Sequence, residues 1–427
     1  MRYYKSLIEK RILKTIIYIF LVFAAFSDIL RIPNTSLTLF RLSLPIIIGV
    51  VLMHQKYGKW LIGLTIGLLL LTIVQYIIFY SVDRTDLDFS SSIALKFFVL
   101  YVLAFVVFLL VGLLKDYTKQ DFERQGFRFI VWLGLCLMFV TFLHYCDVKY
   151  FESHFFGALI PDNPNNYGCY IAALFPFLLI NLKEKGRMRD KIAILAAFII
   201  VYIRDSKAAL FGMVLVGVVY LCISRPAENL KKLFLYRCVI IICAVVMIVG
   251  AIIINPKING YSLQDTIAQP IIRILTDNPY PDYESSISYR TNTIIYCLKK
   301  LVQTGFIGIG VGNTGVALKR DFPDISPELE LAKDSPFLSL HNSWLECALD
   351  LGIVVLIVYF ILIKYAVKLY FTKGKLTNIE QLRVMFIISF PIWIMSTSGM
   401  YTLYYLMIVM AYLLFSNSNA KLEEDIC

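Results

Sequence analysis

The sequence predicts an all-α integral membrane protein with about 12 transmembrane helices and one large extracytoplasmic loop. Two observations predict this class. The 427 residues are 59% hydrophobic and only 17% charged, whereas a soluble domain carries about a quarter charged residues. Apolar runs of about 15 to 23 residues recur along the whole chain, and roughly 20 such residues let a helix cross the hydrocarbon core of a bilayer. No segment has the composition of a separate soluble domain.

Each predicted transmembrane helix is an apolar run bounded by polar or charged residues. The first run follows a basic segment, as the core of a signal peptide would. It is longer than such a core and lacks a clear small-residue cleavage site, so it is predicted to be retained. The predicted helices lie at about 12–30, 37–53, 60–80, 92–114, 127–145, 167–182, 188–203, 206–223, 236–254, 344–366, 382–397 and 401–416.

The distribution of basic residues predicts the orientation of these helices. With the N-terminus in the cytoplasm, the cytoplasmic segments hold about 26 Lys and Arg residues and the short outer loops about 5, and such a bias sets topology. Both termini are therefore predicted to be cytoplasmic. Most of the formal net charge of +11 then faces anionic lipid heads of the bilayer, and nucleic acid is excluded as a partner.

The loop at residues 255–343 is far longer than an ordinary connection, so it is a candidate functional segment. Within it, Tyr289–Thr304 has apolar residues at helical spacing and is predicted to be an amphipathic helix. The loop is predicted to fold over the outer mouth of the bundle as a lid. One membrane domain results, with helices 1–9 in residues 1–254, the lid in 255–343, and helices 10–12 with a short cytoplasmic tail in 344–427.

A glycine-rich stretch follows the loop helix, and its density of glycines predicts turns. Residues 310–315 match the pattern G-x-G-x-x-G literally. A dinucleotide site also requires a preceding strand and a βαβ unit, whereas here a helix precedes, so no nucleotide cofactor is predicted. The cysteines form no CxxC pair and show no metal-ligand spacing, so no metal is predicted either.

His341 lies at the lip of the predicted helix 344–366. Histidine can accept a proton near neutral pH, which suits a general base that acts on a sugar hydroxyl. The alternative is an interfacial or capping histidine, since the neighbouring Asn342 and Ser343 can cap the helix.

Asn342, Glu346 and Asp350 step by four residues down one face of the same predicted helix. Carboxylates in apolar membrane surroundings usually face a cavity or a charged partner. Two interpretations remain open, a functional site or pairing with Arg41 or Lys96.

Three basic residues on the predicted outer side are candidates for binding an anion. Arg290 lies on the apolar face of the loop helix, where its guanidinium either extends past the helix start or reaches a buried anion, and its planar fork suits diphosphate. Arg204 and Lys207 place two cations in one short outer turn, against the general bias. An anionic ligand explains this placement, as does pairing with Asp205 and lipid phosphates.

A polar turn at residues 162–168 leads into the helix predicted at 167–182. Its Asn165 and Asn166 are candidates for hydrogen bonds to sugars, although turn and capping chemistry is the more common reason for such residues.

Together these segments resemble the O-antigen ligase and polymerase family over roughly the C-terminal two thirds of the chain. The most specific motif is HNSWLECALDLG at 341–352. The looser motifs are NPNNYG at 163–168, DSKAAL at 205–210, YRTNTIIY at 289–296 and GIGVGN at 308–313.

The resemblance implies a GT-C-like membrane glycosyltransferase that uses an undecaprenyl-diphosphate-linked glycan on the outer face, without nucleotide sugar or metal. It assigns the essential histidine to His341, the loop arginine to Arg290 and the acid before the glycine to Asp350. Where the family has an arginine after serine, this chain has Lys207. Lysine keeps the charge but loses the paired hydrogen bonds, so either Lys207 acts as a point charge or Arg204 takes over.

The implied function is polymerisation of lipid-linked repeat units into a capsular, exopolysaccharide or O-antigen chain, with a flippase and a chain-length regulator as expected partners. A ligase that moves finished glycan to a terminal acceptor is the nearest alternative. A lipid or polysaccharide transporter is an alternative of another class, although alternating access favours a midplane site over an outer one. A non-enzymatic assembly subunit is a third, and it would tolerate loss of His341.

Overall fold

The protein is described by a computed structural model in which α-helices dominate. The described residues are 2–27, 30, 38–82, 91–145, 164–203, 206–224, 238, 257–258, 261–262, 264–281, 286–321, 340, 342–372, 376–397 and 403–418.

The longer helices of these residues overlap the predicted ranges, but the first spans Arg2–Ala25 where 12–30 was predicted. A 3₁₀ turn at Lys119–Asp121 joins α4 to α5, a two-residue antiparallel ladder pairs Lys257–Ile258 with Tyr261–Ser262, and a π-helical turn at Gln264–Ala268 precedes α9. The helices are α1 (Arg2–Ala25), α2 (Leu39–Met53), α3 (Gln55–Val82), α4 (Ser91–Thr118), α5 (Phe122–Tyr145), α6 (Pro164–Lys185), α7 (Met188–Ile203), α8 (Lys207–Ile223), α9 (Gln269–Leu275), α10 (Ser286–Gln303), α11 (Asn313–Asp321), α12 (Ser343–Leu351), α13 (Ile353–Thr372), α14 (Asn378–Trp393) and α15 (Tyr404–Phe415).

Three helical runs in the described part of the chain are long and apolar enough to cross a membrane, namely Gln55–Ile78, Leu95–Leu143 and Ile353–Phe371. Shorter apolar helices are Leu39–Met53, Lys207–Ile223 and Tyr404–Phe415. The predicted class, a helical membrane protein, is thus confirmed. The number of about 12 spans stays a prediction, since the predicted helix 236–254 lies outside the described residues apart from residue 238.

The chain forms two compact units, of which the first comprises Met1–Leu68, Val99–Leu221 and Leu376–Cys427. Helix α6 is its central element: it packs against α5, α7 and α14, and every side chain from Asn166 to Asn181 is buried. Glycines allow the helices to approach closely, because a Cβ added at Gly212 would lie 2.7 Å from the Trp393 ring. Such close packing gives the first unit its core.

The second unit comprises Leu69–Phe98 and Cys222–Lys375 and contains the whole of the predicted loop 255–343. Its α12 packs against α10, α11 and α13. The amphipathic helix predicted at 289–304 is confirmed as α10, which is three residues longer at its start. The core of this unit consists of buried side chains from these helices and the turns between them, including Tyr296, Cys297, Leu301, Ile309, Leu318, Leu345 and Leu349.

The helix predicted at 344–366 is wrong as a single element, because the chain breaks at Gly352 into α12 and α13. Gly352 adopts φ +68°, and the Ile353 amide beyond it donates to the Phe306 carbonyl at 2.6 Å. A Cβ at position 352 would lie 1.9 Å from the Ile307 carbonyl oxygen. The glycine-rich stretch therefore packs, backbone against backbone, into the joint between α12 and α13. With nine residues, α12 is too short to span a bilayer.

Candidate functional site

Helix α10 holds Arg290 in a partly buried position. The next three side chains on the helix, Thr291, Asn292 and Thr293, are buried. The Asn292 side chain accepts a hydrogen bond from the Tyr280 backbone nitrogen at 2.7 Å and donates one to the Tyr280 carbonyl at 3.1 Å. These bonds fix the first half of α10 against the preceding segment. The backbone that carries Arg290 is therefore held in place by these bonds.

The Arg290 guanidinium has no ion-pair or hydrogen-bond partner within the described ranges. Burial lowers the pKa of Arg290, yet arginine stays charged in proteins. Other basic side chains of the same unit do have carboxylate partners: Lys299 lies 2.9 Å from Asp277, and Lys300 lies 3.5 Å from Asp321. Among the described residues, Arg290 is thus a partly desolvated cation without an anionic partner.

Helix α10 is tied to α11 through the Asp321 carboxylate. The Tyr296 hydroxyl donates to Oδ2 at 2.7 Å, and Arg320 Nε donates to Oδ1 at 2.6 Å. Burial alone would raise the pKa of Asp321, but the hydrogen bonds from Arg320 and Tyr296 and the charge of Lys300 lower it below its usual value. The ionised carboxylate therefore fixes α11 relative to the helix that holds Arg290.

Asp350 is fully buried in α12, and its carboxylate binds the start of α11. The Gly312 amide donates to Oδ2 at 3.1 Å, and the amide and hydroxyl of Thr314 donate to Oδ1 at 3.3 and 2.5 Å. A carboxylate at a helix N-terminus satisfies free amides and is favoured by the helix dipole. Asp350 therefore acts as a cap supplied by another helix, and it fixes α12 against the glycine-rich stretch.

The other two residues of this predicted face are also buried. Asn342 is the N-cap of α12, and its side chain accepts a hydrogen bond from the Leu345 amide at 3.2 Å. Glu346 is 8% exposed. Burial and the charge of Glu346 raise the pKa of Asp350 to about 7, so the two acids lie near each other in a poorly solvated place.

The starts of α6 and α8 meet in the first unit. A Cβ added at Gly168 would lie 2.4 Å from Ser206 Oγ and 3.0 Å from the Ala209 Cβ, so the two helices approach closely there. Lys207, the first residue of α8, is exposed. Asn166 is buried, and its Oδ1 accepts no hydrogen bond from the residues that the structure describes. A cation and a polar acceptor thus lie at the starts of neighbouring helices.

The structure does not describe the side chains of three predicted site residues. His341 and Arg204 lie outside the described residues, and Asn165 is described as part of α6 without its side chain. The residues on either side of position 341, Leu340 and Asn342, are 1% and 3% exposed.

Sequence reasoning did not single out Gln75 of α3. Its side chain is fully buried, and its Nε2 donates to the Ile307 carbonyl at 2.6 Å, where the glycine-rich stretch meets α12. A polar amide in an otherwise apolar helix was the available signal, because buried polar groups need partners. The partner itself is not apparent from the sequence, because it lies 232 residues away.

Among the residues with described positions, no group of three His, Cys, Asp or Glu side chains is arranged to hold a metal ion. The acids that do come together, Glu346 and Asp350, lie on one helix beside Cys297, whose pKa is raised by burial and by both carboxylates. A protonated thiol is a poor metal ligand.

Residues 192–360 match the family model described as O-antigen ligase. This part of the chain belongs to the O-antigen ligase and polymerase family. No curated protein and no solved structure matches the chain. Members of the family are membrane-associated, glycosyltransferase-like enzymes. Of the predicted site residues, Arg204, Lys207, Arg290, His341, Asn342, Glu346 and Asp350 fall within the O-antigen ligase match, whereas Asn165 and Asn166 precede it.

Proposed function

We propose that the protein polymerises undecaprenyl-diphosphate-linked oligosaccharide repeat units on the outer face of the cytoplasmic membrane. The observation that supports this most directly is the partly buried Arg290 guanidinium, which has no anionic partner in the described part of the chain although it lies within the family match. A lipid diphosphate supplies such a partner, since a guanidinium and a phosphate make paired charge-assisted hydrogen bonds.

In the proposed reaction, His341 takes the proton of an acceptor hydroxyl as its oxygen attacks the anomeric carbon of the donor. The bond between that carbon and the diphosphate oxygen breaks, and the electron pair leaves with the diphosphate. Arg290, together with Lys207 or Arg204, stabilises the growing negative charge. A single displacement of this kind inverts the anomeric configuration.

Neither a metal nor a general acid is needed in this scheme. Glycosidases protonate an alkoxide leaving group because alkoxides leave poorly, whereas a diphosphate leaves readily once cations compensate its charge. The buried Asp350 then has a positioning role: through Gly312 and Thr314 it fixes α12, whose first turn follows His341 directly in the sequence. Asn165, Asn166 and Glu346 are proposed to support the glycan.

The proposed membrane arrangement keeps about 12 spans, both termini in the cytoplasm and the segment 255–343 outside as a lid. The tenth span is moved to Ile353–Phe371, since the apolar run found there begins after Gly352. The site residues of α10 and α12 then belong to the extracytoplasmic part of the chain, where lipid-linked glycans are polymerised.

A ligase is the second candidate, and the match to the O-antigen ligase family favours it. The two activities differ in their products. A polymerase makes a ladder of chain lengths from the lipid-linked unit alone, whereas a ligase needs a terminal acceptor and transfers each finished chain once.

The test uses the purified full chain in liposomes with a lipid-diphosphate-linked repeat unit, and the products are separated by length. The unsubstituted protein is expected to give a ladder, and His341→Ala is expected to leave single units. Arg290→Lys is expected to lower the rate by about tenfold to hundredfold, because paired contacts to a charged group are lost.

The matched control is Arg273→Lys, since Arg273 is an arginine of the same unit that lies over the Tyr280 ring at 4.0 Å and donates to the Asn278 and Pro279 carbonyls. It should leave the rate near that of the unsubstituted chain. A normal ladder from His341→Ala, at equal amounts of protein in the membrane, would contradict the mechanism. Product formed only when a terminal acceptor is added would replace the polymerase with the ligase.

A further inference from the structure

A groove between α1 and α5, in the first unit, involves none of the residues assigned above. Its volume is about 600 Å³, within the range of roughly 300–1,000 Å³ typical of ligand sites. The walls are mainly apolar: α1 contributes Tyr18, Val22 and Phe23, and α5 contributes Phe129 and Trp132. Tyr18 and Phe129 connect the two helices, with their ring centroids 4.8 Å apart.

The groove is long and open on one side. Along α1 it extends from Thr15 to Phe23, which is about 12 Å at the rise of an α-helix. Ile19 and Trp132 on its rim are 45% and 52% exposed. Most of α5 belongs to the apolar run Leu95–Leu143. In the proposed membrane arrangement this opening therefore faces the acyl chains of the bilayer, and the ligand that fits it is a hydrocarbon chain.

Arg128 lies at one end of the groove, on the first turns of α5. Its side chain is exposed and has no ion-pair or hydrogen-bond partner within the described ranges. Of the carboxylates of this region, Asp121 is paired with Arg124 at 3.0 Å. Glu184 lines a small pocket together with Arg128 and Lys185, and it accepts a hydrogen bond from the neutral Asn378 amide at 2.9 Å, so it keeps its charge and offsets part of the positive charge there.

Further cations surround the same end. Burial and the charges of Arg187, Arg189 and Arg128 lower the pKa of Lys185, and only Asp190 acts in the opposite direction. Asp190 itself accepts a hydrogen bond from Asn181 at 2.7 Å. A surplus of positive charge at the mouth of an apolar groove favours a ligand with an acyl chain and an anionic headgroup.

We propose that this groove binds an anionic glycerophospholipid, with one acyl chain along Val22 and Trp132 and the phosphate at Arg128. The apolar walls explain why the ligand is a lipid and not a free phosphate. The groove shares no residue with the proposed donor site.

The test measures which lipid stays with the protein. The purified full chain is mixed with equal amounts of phosphatidylglycerol and phosphatidylcholine of identical acyl chains, and retained lipid is counted by native mass spectrometry. Phosphatidylglycerol is expected to be retained in excess. Arg128→Gln is expected to reduce its retention by about fivefold, because one cation near an anionic headgroup strengthens binding by about that factor. Retention of phosphatidylcholine should not change.

Arg124→Gln is the matched control, since Arg124 is a neighbouring arginine whose charge is already paired with Asp121; it should leave the lipid ratio unchanged. Val22→Trp, which fills the groove, should reduce the retention of both lipids. Equal retention of the two lipids by the unsubstituted chain, or an unchanged ratio in Arg128→Gln, would overturn the proposal. So would displacement of phosphatidylglycerol by an equal amount of polyprenyl phosphate, or binding of glycerol phosphate without acyl chains.

Discussion

At the scale of single residues, the second unit shows two kinds of basic side chain. Lys299, Lys300 and Arg320 each bind a carboxylate, as structural cations do. Arg290 is partly buried without such a partner in the described residues, and an uncompensated cation in a poorly solvated place costs free energy. Such energetically unfavourable side chains are typical of functional sites, because the ligand supplies the missing interaction.

We therefore expect Arg290→Met to raise the stability of the ligand-free protein by roughly 0.5–1 kcal/mol while it abolishes activity. Methionine keeps an apolar stem in the same space and removes the unpaired charge. Thermal unfolding in detergent measures the change.

Arg320→Met is the matched control for this prediction, since it breaks the contact with Asp321 at 2.6 Å and should lower the unfolding temperature. Arg290→Met with a lower unfolding temperature than the unsubstituted protein would show that Arg290 is a structural residue.

At the scale of elements, the joint between α12 and α13 depends on two glycines. Gly308 and Gly352 both have positive φ, and a Cβ at either position would meet backbone atoms, the Leu349 oxygen at 2.5 Å and the Ile307 oxygen at 1.9 Å. Backbone atoms cannot rotate away as side chains can, so the joint accepts only glycine at these two positions.

Gly352→Ala is expected to prevent folding of the second unit or to lower its stability by more than about 3 kcal/mol, since it combines overpacking with backbone strain. Gly305→Ala separates the two effects, because Gly305 has φ +58° but open space around its Cβ position; only about 1–2 kcal/mol should be lost there.

Gly217→Ala lies in α8 with nothing near the added methyl group and should stabilise by about 0.5–1 kcal/mol. Thermal unfolding and the yield of folded protein from membranes give the order of the three variants. Equal losses for Gly352→Ala and Gly305→Ala would contradict the close approach of the two backbones.

The elements also show how far the sequence predicts the fold. Helix 188–203 has the predicted bounds because apolar periodicity and the flanking charges are local properties. The break at Gly352 was not predicted, because its cause is a hydrogen bond from Ile353 to Phe306, which lies elsewhere in the chain. Local patterns therefore predict the helices, and long-range backbone contacts decide where one of them divides.

In the candidate site, too, local features could be predicted from the sequence and long-range contacts could not. Asn342 could be predicted as a cap from its residue type, and it is the cap of α12. Asp350 was predicted to have a function or a basic partner, and its observed bonds come from the Gly312 and Thr314 amides and the Thr314 hydroxyl. Peptide amides are present at every position except proline, so no residue type in the sequence indicates which of them a carboxylate will bind.

At the scale of the whole molecule, the positive-inside bias predicts that residues 255–343 are extracytoplasmic and that the α6–α7 connection is cytoplasmic. Single cysteines at Asn278, which is exposed beyond α9, and at Met188, which is 71% exposed at the start of α7, test this prediction. A membrane-impermeant maleimide added to intact cells should label only the cysteine at position 278.

Labelling is measured above the signal of the unsubstituted chain, and permeabilised cells provide the control, in which both cysteines should react. Labelling of position 188 but not of position 278 in intact cells would reverse the orientation, and with it the side on which Arg290 is proposed to bind the donor.

The bond between Gln75 and Ile307 has a consequence for biogenesis. The ribosome makes Gln75 232 residues before its partner, and at about 5–20 residues per second this interval lasts roughly 10–50 s. Helix α3 thus enters the membrane with a primary amide that must wait for its acceptor, and an unsatisfied polar group in hydrocarbon costs several kcal/mol. During that interval the nascent chain depends on the translocon, an insertase or a water-filled crevice to shelter one side chain.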